Sequence, residues 1–320
     1  MNDSNYNPGF FTIELSAVFW PIAHDYGFAD AKARVALLHE YTHYLQDTVT
    51  RYGIKYREQL YKNCKDEIIA GGGSDSNLCA PCFCDDEIDF TEEGRPIFSG
   101  DLIGATAIKE NMARQAEFYV YGKPSIDNCQ AVIYTGVTRI VKCASRQLSQ
   151  TPLALYVLDD CCLGTDDPIM SLLTYLKNAD VALIEDILKA DDASMAHCLY
   201  DNIRAVLGEA GIAVDEQYDT TELESEEMVR QFFNRVTSRV YNDETECMQN
   251  LQEAAAFAGK IEGNIRRNAT LRSGKHSVLA DAMIKFKTDN DFAALFAQFG
   301  TPLIKQAGTR CRTMSNINKI

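Results

Sequence analysis

The most informative segment of this chain is Ala36-Leu37-Leu38-His39-Glu40-Tyr41-Thr42-His43-Tyr44-Leu45-Gln46. It lies in a longer segment, from about residue 29, with apolar or neutral side chains three and four residues apart: Val35, Leu38, Thr42, Leu45 and Val49. That spacing is the stripe of an amphipathic helix. The sequence therefore predicts a helix here, with His39 and His43 in a polar stripe beside the apolar one.

The two histidines of this helix are four residues apart. Four helical residues turn by about 400°, so the imidazoles of His39 and His43 project side by side. Two such imidazoles can bind one metal ion at roughly 2.0–2.1 Å. Glu40, beside the first of them, can take a proton from a water on that ion. The pattern H-E-x-x-H thus indicates a zinc site with Glu40 as general base. The alternative is two surface or core histidines.

Residues 36–46 resemble the active-site helix of zinc metallopeptidases of the zincin fold, and the resemblance covers about residues 10–120. The metzincin branch is excluded, because Gln46 and Val49 stand where its motif requires glycine and histidine. In the gluzincin branch the third ligand is a glutamate on a later helix, in the form E-x-x-A. Glu110-Asn111-Met112-Ala113 matches that form.

A second helical pattern, over residues 100–121, carries this glutamate, and Gly122-Lys123-Pro124 is predicted to end it. Glu110, Arg114 and Glu117 share one face at offsets of four and seven residues. We take Glu110 as the third metal ligand. Glu117 is then an outer partner of a ligating histidine, or an alternative ligand. The competing interpretation of Glu110 is an ordinary surface pair with Arg114.

The resemblance implies a fold and a chemistry. The fold class is α+β and predominantly α-helical: a zincin-like catalytic core with a small N-terminal sheet and a helical C-terminal region. One catalytic Zn²⁺ is held by His39, His43 and Glu110, and Glu40 activates the water on it for attack on a peptide bond. A further donor should stabilise the oxyanion. The sequence does not choose among the candidates Tyr119, Tyr121, Tyr134, Tyr156, His197 and His276.

The chain is predicted to comprise a gluzincin-like catalytic domain over 1–210, with a loop insertion over 71–100, and a helical C-terminal region over 211–320 that packs on it. Polar and apolar residues alternate over 10–20, which predicts a half-buried strand. We expect that strand to pair with an extended substrate, as an edge strand does in the zincin fold.

The insertion contains a cysteine cluster, Cys79-Ala80-Pro81-Cys82-Phe83-Cys84, and Cys64 lies upstream of it. The four thiolates of Cys64, Cys79, Cys82 and Cys84 could form a second, structural zinc site. A typical site has two separate C-x-x-C pairs, whereas only one is present, so free thiols are the other open interpretation. A thioredoxin-like motif is disfavoured because no strand-then-helix pattern surrounds it.

One helix further along the chain carries Leu158-Asp159-Asp160-Cys161-Cys162. We interpret its aspartates as belonging to caps and turns rather than to a metal site. The adjacent cysteines are interpreted as packed free thiols.

Composition excludes several classes of protein. The 320 residues are 46% hydrophobic and 24% charged, which excludes wholesale disorder. A net charge of −15 disfavours binding to nucleic acid or to an anionic membrane surface. No segment is apolar enough to span a bilayer, and the first residues do not form a signal peptide. Eleven cysteines without an export signal indicate reduced thiols in the cytoplasm.

The sequence therefore predicts a cytoplasmic zinc endopeptidase that acts on a specific intracellular protein or peptide, with no nucleic-acid or membrane partner. The first alternative is a zinc-stabilised, non-catalytic interaction protein whose acidic, helical C-terminal third is the working surface. The second is a metallohydrolase that acts on a non-peptide amide.

Overall fold

The computed structural model describes residues 4–7, 11–16, 19–20, 31–56, 91–92, 95–96, 103–124, 132–214, 227–231, 234, 245–271 and 276–306. Over these residues the protein is mostly helical with a small three-stranded sheet, which confirms the predicted α+β, predominantly α-helical class. Among the described helices, none combines the length and the apolar character needed to cross a membrane. The division of the chain at residue 210 stays a prediction.

The helices are α1 (Ala31–Val49), α2 (Ala105–Tyr121), α3 (Val132–Ala144), α4 (Pro152–Leu163), α5 (Pro168–Asn178), α6 (Val181–Ile187), α7 (Asp192–Glu209), α8 (Thr245–Leu271), α9 (Val278–Asp289) and α10 (Phe292–Phe299). A 3₁₀ turn spans Leu148–Gln150, and residues 51–56 are also helical. The strands are β1 (Asn5–Asn7), β2 (Thr12–Leu15), β3 (Thr91–Glu92), β4 (Arg95–Pro96) and β5 (Leu303–Gln306).

The three-stranded sheet has β2 at its centre. β1 pairs with β2 antiparallel, with Tyr6 opposite Ile13, and β5 pairs with β2 parallel, with Ile304 opposite Ile13. The predicted strand over 10–20 is therefore shorter, and residues 19–20 are helical instead. It is also buried on both faces rather than on one. The expectation that it pairs with a substrate is wrong, because neighbouring strands occupy both of its edges.

Helix α1 is more deeply buried than an amphipathic helix, since every side chain over residues 35–50 is buried. It packs against α2, α8, α10 and the strands β1 and β2, which leaves no face to solvent there. Its threonines satisfy their hydroxyls within the helix. Thr42 donates to the carbonyl of Leu38, and Thr48 donates to that of Tyr44, both at 2.8 Å. The polar stripe that contains His39 and His43 therefore points into the interior.

Two tyrosines of α1 hold the end of α10. The hydroxyl of Tyr41 donates to the carbonyl of Gly300 at 2.9 Å, and that of Tyr44 donates to the carbonyl of Phe299 at 3.3 Å. Gly300 has a φ of 107°, and a Cβ atom there would lie 2.5 Å from the Tyr44 hydroxyl, so only glycine fits. These contacts fix the end of α10, from which the chain continues into β5 beside β2.

Helix α2 packs against three helices: α1, α3 and α4. The predicted end of the helix is confirmed: Gly122 has a φ of 69°, and its N–H donates to the carbonyl of Phe118 at 3.0 Å. Because α2 packs closely on α1, the face that carries Glu110 and Glu117 turns toward the two histidines.

The prediction that the aspartates of α4 belong to caps and turns is wrong. Asp159 and Asp160 lie within the helix and are completely buried. Asn111 on α2 donates to Asp159 at 2.6 Å, and Ser277, at the start of α9, donates to Asp160 at 2.5 Å. The carboxylates thus link α4 to two neighbouring helices. Cys161 and Cys162 are buried and pack within the helices, as predicted.

Asp159 should make the stability of the protein depend on pH. Burial raises the pKa of its carboxyl well above the ordinary 3.8, although the hydrogen bond from Asn111 opposes this and the neighbouring Asp160 adds to it. The folded state therefore keeps a proton that the unfolded chain releases, and the stabilisation is lost as the pH rises through the folded-state pKa. Asp159→Asn has no such proton. Its free energy of unfolding, relative to wild type, should rise as the pH increases above about 4, by at most about 1.4 kcal/mol per pH unit, until the folded-state pKa is passed.

Urea unfolding of both proteins at several pH values measures this difference. Parallel profiles for wild type and Asp159→Asn would contradict the assignment of the bound proton to Asp159.

Candidate metal centre

The imidazoles of His39 and His43 lie side by side on α1, as their four-residue spacing requires. Their ring centroids are 4.9 Å apart, with the ring planes at 81°. Their Nε2 atoms face each other at 3.3 Å. Both residues are buried, so the two nitrogens are largely shielded from water.

Glu110 reaches the same point from α2. Its Oε2 lies 3.3 Å from Nε2 of His39, and its Oε1 lies 3.4 Å from Nε2 of His43. The guanidinium of Arg114 lies over the Phe118 ring, 5.6 Å from its centroid. Within the described part of the chain, Glu110 pairs with the two histidines and not with Arg114.

The three donor groups have the spacing of a zinc site. Ligands at about 2.0–2.1 Å from a tetrahedral zinc ion lie roughly 3.3–3.4 Å from one another. The two Nε2 atoms are 3.3 Å apart, and the Glu110 carboxylate turns one oxygen to each of them, at 3.3 and 3.4 Å. They are also the one group of three or more ligand-type side chains, within the described residues, whose donor atoms converge closely enough to hold an ion. The donor set therefore fits Zn²⁺.

Each histidine has a partner at its other ring nitrogen. Oε1 of Glu117, a residue that is 1% exposed, lies 3.0 Å from Nδ1 of His39. Both of these atoms are buried, and in the described structure neither forms a well-aligned hydrogen bond, so their contact is an electrostatic one. This is the place that an outer partner of a ligating histidine occupies. The role of Glu117 stays a prediction.

Two further residues at the site were not assigned a role from the sequence. The side chain of Gln46 lies 2.9 Å from Nδ1 of His43. The ring of Tyr6, on β1, lies nearly parallel to the imidazole of His43, with the centroids 6.5 Å apart. Gln46 could have been found from its position three residues after His43 on the same helix. Tyr6 comes from a distant strand with no sequence signal.

The charges in the site favour a cation between the three ligands. Burial alone would lower the pKa of His39, but Glu110 and Glu117 together raise it well above its ordinary value. Burial would raise the pKa of Glu110, yet the charges and hydrogen bonds of His43 and His39 hold it well below its usual range. The ligand cluster thus carries a carboxylate that stays ionised and stabilises positive charge beside it.

Glu40 lies in the same electrostatic field. Burial raises the pKa of its carboxyl, and the two histidines partly offset that effect. A carboxylate with a raised pKa is a stronger proton acceptor than one in water. Glu40 is therefore suited to accept a proton at this position.

Four of the proposed oxyanion donors have partners elsewhere in the fold. The hydroxyl of Tyr119 donates to Asp192 at 2.7 Å, and that of Tyr121 donates to Asn290 at 3.0 Å. His197 pairs with Asp281 at 3.0 Å and stacks on His276. The structure places the remaining two on α3 and α4: Tyr134 and Tyr156.

The four cysteines of the suggested structural zinc site, Cys64, Cys79, Cys82 and Cys84, lie outside the described residues.

No protein-family model matches the chain, and no curated protein or solved structure is significantly similar to it. The interpretation of the site therefore depends on its own geometry.

Proposed function

We propose that the protein is a zinc-dependent endopeptidase of the gluzincin type, built on a zincin-like core. The observation that carries this proposal is the set of donor distances among His39, His43 and Glu110, each 3.3–3.4 Å, on the motif H-E-x-x-H. In this proposal Nε2 of each histidine and the carboxylate of Glu110 hold the metal.

Bound zinc would polarise the peptide carbonyl and lower the pKa of the attacking water. The chain supplies the proton transfers. Glu40 accepts the proton of the water and later passes it to the leaving amine. Glu117 and Gln46, at the Nδ1 atoms of His39 and His43, leave both Nε2 atoms free to face the ion.

We propose a cytoplasmic location and a specific intracellular protein substrate. The cysteine content of the sequence favours the first. The acidic surface implied by a net charge of −15 disfavours nucleic acid and anionic membranes as partners.

Metal analysis of the purified protein beside His39→Ala tests the proposal. We expect about one catalytic zinc per wild-type chain, and hydrolysis of a peptide library that a chelator abolishes. His39→Ala removes one of three protein ligands, so it should lose that zinc and all detectable hydrolysis. A second zinc that remains in His39→Ala would indicate the cysteine site.

A His39→Ala protein that retains full zinc and full activity would overturn the proposal. Zinc binding in the wild type, with no hydrolysis of any peptide or protein, would instead favour the zinc-stabilised interaction protein. Cleavage of a non-peptide amide alone would favour the other metallohydrolase.

A further inference from the structure

We infer that Gln46 is a positioning residue that fixes the ring of His43 toward the metal and couples it to the helix that carries Glu110. This inference rests on the proposed metal site. It assigns to Gln46 two hydrogen bonds with different purposes, one to each ligand-bearing helix.

The first bond sets which nitrogen of His43 carries the proton. Nε2 of Gln46 lies 2.8 Å from the main-chain carbonyl of Lys109, which can only accept a hydrogen bond. The amide nitrogen of Gln46 must therefore face Lys109, and its oxygen must face Nδ1 of His43 at 2.9 Å. An amide oxygen only accepts, so Nδ1 is the donor. The neutral ring then presents the lone pair of Nε2 to the ligand cluster.

The second bond joins the two ligand-bearing helices next to the third ligand. Lys109 directly precedes Glu110 on α2, and its carbonyl accepts from Gln46. The neighbouring Asp47 pairs with the ammonium of Lys109 at 2.7 Å. Two successive residues of α1 therefore contact one residue of α2. A shift of Glu110 along α1 would break both contacts.

Gln46 is itself rigidly held. Its side chain is completely buried. Its carbonyl accepts from the main-chain N–H of Thr50 at 3.1 Å and from the Thr50 hydroxyl at 2.7 Å. Gly53 packs so closely that a Cβ atom there would lie 2.2 Å from the same carbonyl oxygen. A buried amide with a fixed backbone and both polar ends satisfied can hold His43 in one orientation.

The experiment compares Gln46→Met with wild type, using Zn²⁺ and a competing chromogenic chelator. Methionine fills a similar volume but neither donates nor accepts a strong hydrogen bond. We expect its zinc affinity to fall about 10- to 100-fold. We also expect the slowly exchanging Nδ1–H signal of His43 in ¹⁵N NMR spectra of the zinc-loaded protein to disappear. A merely structural role would leave that signal in place.

Thr48→Val is the matched control. Thr48 lies on the same helix, is completely buried, and bonds only to the carbonyl of Tyr44 among the described contacts. It should keep both the wild-type affinity and the His43 signal. Gln46→Glu retains an acceptor opposite Nδ1, so it should retain the signal. If Gln46→Met does not fold, the wild-type spectrum decides the question, since an Nδ1 of His43 that carries no proton in the zinc-loaded protein would overturn the inference.

Wild-type zinc affinity and an unchanged His43 signal in Gln46→Met would likewise overturn the role of Gln46. That result would leave the proposed function intact. A wild-type protein that takes up no zinc would refute the metal site itself, whereas zinc uptake without peptide hydrolysis would refute only the peptidase.

Discussion

Glu40→Gln is expected to bind zinc at the wild-type level and to lower peptide hydrolysis by about 10²–10⁴-fold. Glutamine keeps the shape of the side chain but cannot accept the proton of the attacking water or return it to the leaving amine. Glu40 lies beside His39 in the buried site, and burial raises the pKa of its carboxyl. The loss should therefore appear in the rate of the chemical step rather than in metal content.

Single-turnover hydrolysis and metal analysis of the same preparation measure both quantities. Thr42→Val is the matched control, because Thr42 is buried on the same helix and donates to the Leu38 carbonyl. It should hydrolyse peptide at the wild-type rate. Equal rates for Glu40→Gln and wild type would show that Glu40 is not the general base. If the proposal holds, Glu40→Gln should also retain substrate and so serve to capture it.

Glu110→Gln is expected to abolish or severely weaken zinc binding. Glu117→Gln is expected to retain zinc at micromolar zinc concentrations and to lose only part of its activity. The two glutamates lie on one face of α2, about 10 Å apart along the helix axis. Glu110 faces the Nε2 atoms of both histidines, whereas Glu117 faces Nδ1 of His39. Only the first position is that of a ligand. Loss of the contact between Glu117 and His39 should lower zinc affinity or activity by about 10- to 100-fold.

Zinc measured in both variants after equilibration against the same metal concentration separates the two roles. Circular dichroism of each variant controls for unfolding, since Glu117 is buried and Glu110 is only partly exposed. A zinc-free Glu117→Gln beside a zinc-loaded Glu110→Gln would reverse the assignment.

The parts of the site that follow from local spacing could be predicted from the sequence. His39 and His43 lie side by side because four residues make about one helical turn. Glu110 and Glu117 share a face of α2 for the same reason. The sequence Gly122-Lys123-Pro124 also located the end of α2, where the left-handed conformation of Gly122 suits glycine.

The parts that depend on distant partners could not be predicted in this way. The complete burial of α1 requires α8, α10 and the sheet, none of which the sequence of α1 encodes. From the sequence alone, Asp159 and Asp160 are predicted to be residues of helix caps and turns. They are instead satisfied by Asn111 and Ser277, which lie on other helices. Tyr6 reaches His43 only because β1 pairs with β2.

The central position of β2 also has a consequence for how the chain folds. Its partner β5 lies about 290 residues later, so this parallel pairing has a very high contact order. During synthesis at 5–20 residues per second, β2 would wait roughly 15–60 s for β5 to leave the ribosome. One edge of the strand Thr12-Ile13-Glu14-Leu15 is open to mispairing for that time. The charge of Glu14 in its middle discourages such pairing. We therefore expect nascent chains that stop before residue 303 to aggregate more readily when Glu14 is replaced by an apolar residue.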